Sequence, residues 1–147
     1  MLKAQASSEY LVRHEDHRWF RLKPDLLVKN KQHTCMILDT KWKLLDASKK
    51  NGRDKYNLSQ ADFYQLYAYG QHYLCGGEGD IVLIYPKTDA FTEPLSVFNF
   101  PMNEKMRLWV VPFCLRERRL KLPKVSGLES IFFGEIGVTE YVNQRFN

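Results

Sequence analysis

Polar and apolar positions change rhythm along the chain, and each rhythm predicts an element. Residues 25–29 (DLLVK) and 34–42 (TCMILDTKW) are short apolar runs joined by the polar NKQH, which predicts two strands and a turn. From 58 to 74 the spacing becomes helical, with Phe63, Leu66, Tyr67, Gly70 and Leu74 on one stripe. Ser59 is placed to cap that helix, with Asp62 three residues on, close to a capping box. Gly76, Gly77 and Gly79 then stop the helix as a turn; they follow a helix and precede a strand, the wrong order for a phosphate loop. DIVLIYPK (80–87), LSVFNF (95–100) and RLWVVPFCL (107–115) predict further strands. Upstream, 10–13 and 18–23 look extended on either side of the polar HEDH. The charged stretch 46–57 (DASKKNGRDKYN) predicts a mobile loop. This order suggests an α+β class, or a mixed α/β sheet, with a central mixed sheet flanked by helices.

Composition adds bounds. The 147 residues fit one domain with a real core, and 44% hydrophobic against 27% charged is an ordinary soluble balance. No run of about 18 apolar residues is present and the N-terminus lacks a signal-peptide core, so the expectation is a cytoplasmic chain without a membrane span. Cys35, Cys75 and Cys114 are odd in number and far apart, which predicts reduced, mostly buried thiols. A net charge of +5 permits a polyanion partner, with basic residues gathered at 41–55 and 115–124. Either cluster is also compatible with a plain solvated face.

The candidate chemistry lies in the two strands. If they form a hairpin centred on Gln32, residues whose numbers sum to 64 face each other. Asp25 and Asp39 then become cross-strand neighbours with Cβ atoms roughly 5 Å apart. Lys41, two residues beyond Asp39, shares their face, whereas a one-residue slip would send Asp39 to the other side. Adjacent carboxylates repel, and a divalent cation with hard-oxygen ligands relieves the repulsion. A neighbouring lysine can orient or deprotonate a water, or stabilise charge on a phosphoryl group in flight. The alternative is a surface turn with scattered charges. Asp39 follows CMIL and precedes Trp42, a position where an isolated charge is costly. On the helix, Asp62, Gln65 and Tyr69 share a face, as a polar outer stripe or as groups directed at the carboxylates. His14-Glu15-Asp16-His17 holds ligand-type residues but fits a polar turn better.

Taken together, these residues resemble the PD-(D/E)xK nuclease superfamily: Pro24-Asp25, Asp39-Thr40-Lys41, and Gln65 to Tyr69 as the QxxxY element of its RecB-like branch. The phrases FRLKPDLLV, ILDTKWKLL, LSQADFYQLYAYGQHYL and GDIVLIYPKT are similar to the C-terminal nuclease domain of the McrC family, from the McrBC 5-methylcytosine restriction system. The resemblance covers about residues 10–115 and leaves 116–147 as a C-terminal extension of a single domain spanning 1–147. It implies a restriction-endonuclease-like fold and Mg²⁺-dependent cleavage of double-stranded DNA, with Mn²⁺ as a substitute. It also implies metal ligation by Asp25, Asp39 and the Thr40 main-chain carbonyl, water activation or charge stabilisation by Lys41, and accessory roles for Gln65 and Tyr69. Many superfamily members add an upstream glutamate, for which Glu9 is the candidate and Glu15 the nearer alternative. The family's N-terminal region docks onto an McrB-like AAA+ GTPase, yet only residues 1–19 precede the hairpin. A truncated or split form, or one working without that docking, is therefore expected. Two other readings stand beside the endonuclease: a non-catalytic DNA-binding or assembly module derived from a nuclease, and a RecB-like repair exonuclease.

Overall fold

The structure, a computed structural model, describes residues 2–31, 33–124 and 128. Its centre is a mixed sheet of seven strands. In chain order these are β1 (Leu2–Ala4), β4 (Leu26–Asn30), β5 (His33–Thr40), β6 (Gly79–Pro86), β7 (Phe98–Phe100), β8 (Asn103–Cys114) and β9 (Arg119–Leu120). Across the sheet the order is β1-β4-β5-β6-β8-β7, with β9 also on β8. The pairs β5/β6 and β6/β8 are parallel, and the others are antiparallel. A separate ribbon, β2 (Tyr10–His14) with β3 (His17–Arg21), stands away from the sheet with nearly every side chain exposed. Residues 14 to 17 turn this ribbon, as the polar HEDH predicts.

Parallel neighbours need a crossover, and α1 (Gln60–Tyr73) provides it between β5 and β6. Ser59 caps α1 by accepting a hydrogen bond from the Asp62 amide. The helix lays Leu66, Tyr69 and Gly70 on one face of the sheet, above Ile37, Ile81, Leu83 and Met106. A Cβ at Gly70 would stand 2.1 Å from the Met106 sulfur, so helix and sheet approach as closely as they do because no side chain intervenes. The opposite face is a second apolar layer of Leu26, Val28, Met36, Leu38, Val82, Ile84, Trp109 and Val111, joined by Leu128. Burial on both faces explains why β6 is continuously apolar rather than alternating.

Three expectations are adjusted. The described residues contain one α-helix, on one face of the sheet, where helices on both sides are expected; residues 129–147 lie outside the described residues. The last long strand begins at Asn103, because parallel pairing with β6 starts at Met106 and antiparallel pairing with β7 reaches Asn103. The cysteines are less buried than predicted. Cys75 is exposed at the turn after α1, where the chain crosses the surface, and Cys35 and Cys114 are half-buried.

Candidate functional site

The β4–β5 register decides whether the two aspartates meet. Leu26 faces Leu38, Leu27 faces Ile37 and Val28 faces Met36, all summing to 64. Nearer the turn the sum drops to 63, with Lys29 opposite Thr34 and Asn30 opposite His33. A β-bulge at Cys35 absorbs the difference, its thiol 3.4 Å from the Val28 carbonyl. The hairpin is therefore not symmetric about Gln32, a residue that itself lies outside the described set, but the register that puts Asp25 beside Asp39 holds at the end that matters.

Asp25 sits in the bend just before β4 and lines a cleft of about 430 Å³ with Gln5, Ser7 and Lys23. Its Oδ2 accepts two hydrogen bonds from Thr40, from the amide at 2.9 Å and the hydroxyl at 2.7 Å. Thr40 thus ties the two strand ends together through its side chain as well as its main chain. Asp39 is buried at 4% exposure on the face that carries α1. Burial raises its carboxyl pKa; the Lys41 ammonium beside it pulls the other way, and the charge on Asp25 adds to the rise.

Lys41 links the strand to the helix. Its Nζ stands 2.9 Å from Asp39 Oδ2, donates to Gln65 Oε1 at 2.9 Å, and lies 3.9 Å from Asp62 Oδ1. Asp62 also pairs with Lys43 at 3.2 Å. Asp39 Oδ2 is thus a buried carboxylate oxygen whose charge is met by the Lys41 ammonium.

Tyr69 is nearly fully buried, and its hydroxyl donates to the Lys23 carbonyl at 3.2 Å, two residues before Asp25. Burial first, then the charges on Asp39 and Asp25, push its pKa up to about 12, so the phenol stays protonated at working pH. One turn later, the Tyr73 hydroxyl donates to the Leu22 carbonyl at 2.6 Å. The helix therefore holds the backbone that delivers Asp25. Tyr73 was not singled out from sequence; its spacing of four from Tyr69 was the available signal.

The structure thus brings Asp25, Asp39, Thr40, Lys41, Gln65 and Tyr69 into one connected cluster, and Glu9 meets the Tyr73–Leu22 strut beside it. The recorded contacts of Glu9 are through its main chain, the amide to the Tyr73 hydroxyl and the carbonyl from the Leu22 amide. Among the described residues no group of three or more His, Cys, Asp or Glu is gathered, so neither Glu9 nor Glu15 completes a trio with the two aspartates. The same holds for His14 to His17, where His14 instead stacks on Trp19 at 4.8 Å.

The donor set fits a small hard cation. Two adjacent carboxylates and the Thr40 main-chain carbonyl would suit an ion that takes its remaining ligands from water and phosphate.

The family described as McrBC 5-methylcytosine restriction system component matches residues 1–86, more than half the chain. The chain belongs to this McrBC family. Its members are restriction-system components by that description, and the matched span carries Asp25, Asp39, Lys41, Gln65 and Tyr69. Among solved structures, a refined half-complex from the tetradecameric assembly of Thermococcus gammatolerans McrB AAA+ hexamers with bound McrC is similar at 18% identity and a TM-score of 0.45. That similarity covers 86% of this chain and 24% of the other, so the present chain spans about a quarter of its length. No curated protein matches. Among the described residues no helix is long and apolar enough to cross a membrane.

Proposed function

We propose that this chain is the nuclease core of a restriction system, a single domain that hydrolyses phosphodiester bonds of double-stranded DNA with Mg²⁺, or with Mn²⁺ in its place. The observation that carries the reading is Asp39: a carboxylate buried in an apolar strand, with the Asp25 charge beside it and the Lys41 ammonium at 2.9 Å. Two adjacent carboxylates repel, Lys41 offsets part of their charge, and a divalent cation is the natural complement to the rest. Asp25, Asp39 and the Thr40 carbonyl would hold the ion, which supplies positive charge to the phosphate and acidifies a water.

The protein's own groups do the rest. Thr40 fixes the Asp25 carboxylate with two hydrogen bonds, so it is pre-set against Asp39. Lys41 is on the same face, with its ammonium held by Gln65, and can stabilise charge on the phosphoryl oxygens or orient the attacking water. Gln65 positions Lys41, and Tyr69 positions the Lys23–Asp25 backbone. In this reading an McrB-like AAA+ GTPase is the partner, and recognition of 5-methylcytosine belongs to that partner rather than to this chain.

The test is nicking of supercoiled plasmid with Mg²⁺ or Mn²⁺, with and without an McrB-like partner. Asp39→Asn is expected to lower the rate at least about 100-fold, the scale of losing a principal charge-stabilising group. Cleavage by the variant at the parental rate would refute the site. DNA binding with no metal-dependent cleavage under any of these conditions would favour the non-catalytic module instead.

A further inference from the structure

We infer that the cleft beside the first turn of α1 is a nucleotide subsite, taking one nucleotide of a nucleic-acid strand with its base on aromatic rings and its phosphates on cations. Its identity as a substrate subsite rests on the nuclease reading above; its capacity to bind a nucleotide does not.

The cleft has a volume of about 690 Å³, within the range that accepts small organic ligands. Lys50, Arg53 and Lys55 line it together with Tyr56, Phe63 and Phe98. The three cations are exposed, and none forms an ion pair among the described residues. The one carboxylate in the lining, Asp54, is engaged by the Asn51 amide at 2.7 Å. The rings are fixed, because Phe98 meets Phe63 edge-to-face at 5.3 Å and Tyr56 at 6.5 Å. Rings beside unpaired cations are what a nucleotide recognises: every base has a face to stack, and every phosphate a charge to neutralise.

The loop carrying the cations is built rather than loose. Asn51 Oδ1 accepts from the amides of Arg53 and Asp54, and the Tyr56 amide donates to the Lys49 carbonyl. Lys55, Tyr56 and Asn57 all hold positive φ, which aims successive side chains in a way ordinary extended or helical backbone would not. The expectation of a mobile loop over 46–57 therefore gives way to a tied one. The cleft also lies next to the candidate site. Phe63 lines it, while its neighbour Asp62 contacts Lys41 and Lys43.

The experiment uses the full chain in EDTA, so that cleavage does not intrude. A single-stranded oligonucleotide carrying 2-aminopurine reports binding by anisotropy and stacking by fluorescence quenching. The parent is expected to bind and quench. Lys50→Ala/Arg53→Ala/Lys55→Ala is expected to bind at least about tenfold more weakly and to flatten the salt dependence by about 2 log units per log unit, near 0.7 per lost phosphate contact. Lys3→Ala/Lys31→Ala, which removes exposed charge outside both basic clusters, is expected to change neither. Tyr56→Leu is expected to keep most of the affinity and lose quenching; if it fails to fold, the charge variants carry the test. Failure of the parent to bind, equal losses in both charge variants, or an unchanged slope in the triple variant would overturn the subsite. Binding without quenching would overturn the stacked base. Plasmid nicking separates the two proposals: intact subsite behaviour without metal-dependent nicking removes only the nuclease reading, and the reverse removes only the subsite.

Discussion

Removing Lys41 tests the electrostatics of the site without any substrate. Its ammonium stands 2.9 Å from Asp39, whose side chain is 5% exposed against 20% for the lysine. Lys41→Met keeps the stem and deletes the charge, leaving Asp39 buried with its own pKa already raised by burial. Breaking a buried pair from one side costs about 3–5 kcal/mol, and the partial exposure of Lys41 brings the expectation to about 2–3 kcal/mol. The pH dependence has a definite sign. A carboxyl whose folded pKa is raised binds its proton more tightly in the folded state, so its ionisation costs stability above the folded pKa. That cost is absent below the unfolded value of 3.8 and grows as the pH rises through the folded one. The Lys41→Met penalty should therefore be largest at pH 8 and shrink toward pH 4. Asp39→Asn/Lys41→Met should recover much of the loss, because no unpaired charge remains. Urea unfolding of the parent, Asp39→Asn, Lys41→Met and the double variant at pH 4 and pH 8 measures this. A single variant as stable as the parent at pH 8, or a double variant no better than the single, would refute the picture of a buried carboxylate sustained by Lys41.

Other changes probe the supports. Thr40→Val deletes the hydroxyl bonded to Asp25 while leaving the amide bond; about 1.5–3 kcal/mol of stability should go, with a loss of nicking that added Mg²⁺ does not restore. Tyr69→Phe removes only the bond to the Lys23 carbonyl; thermal unfolding should show a loss of about 1 kcal/mol, and nicking should fall less than in Asp39→Asn. Gly79→Ala places a methyl 2.5 Å from the Cys35 carbonyl at a φ of +149°, and should cost at least about 2 kcal/mol by urea unfolding, against nearly nothing at the open Gly52.

Much of this arrangement was legible in the sequence because its determinants are local. Residues 25–29 and 34–42 are continuous apolar runs around a short polar turn, which marked β4 and β5 as a hairpin, and the register assumed for that hairpin holds where Leu26 faces Leu38. The helical stripe and Ser59 located α1 within a residue or two at either end. What escaped depends on partners distant in sequence. Leu2–Ala4 is too short to announce itself as a strand and becomes one only against β4. The bulge at Cys35 leaves no mark in composition. Buried Asp80 is satisfied by Arg107 at 2.9 Å and the Trp109 indole at 2.8 Å, residues two strands' length away along the chain, and nothing near Asp80 predicts them. The candidate nuclease residues were found through type and spacing, whereas the roles of Thr40 and Tyr73 as struts required the fold.

The irregularity at Cys35 has a consequence for how this protein can change. Because the ladder shifts register between the turn and the aspartates, the two ends of the hairpin answer to different constraints. The segment from Lys29 to Thr34 can lengthen, shorten or accept a foreign loop, and the break in phase takes up the slack before it reaches Leu26 and Leu38. The tip is thus a port for variation, through which a tag, a sensor or a new contact could be grafted while the chemistry at the far end keeps its alignment.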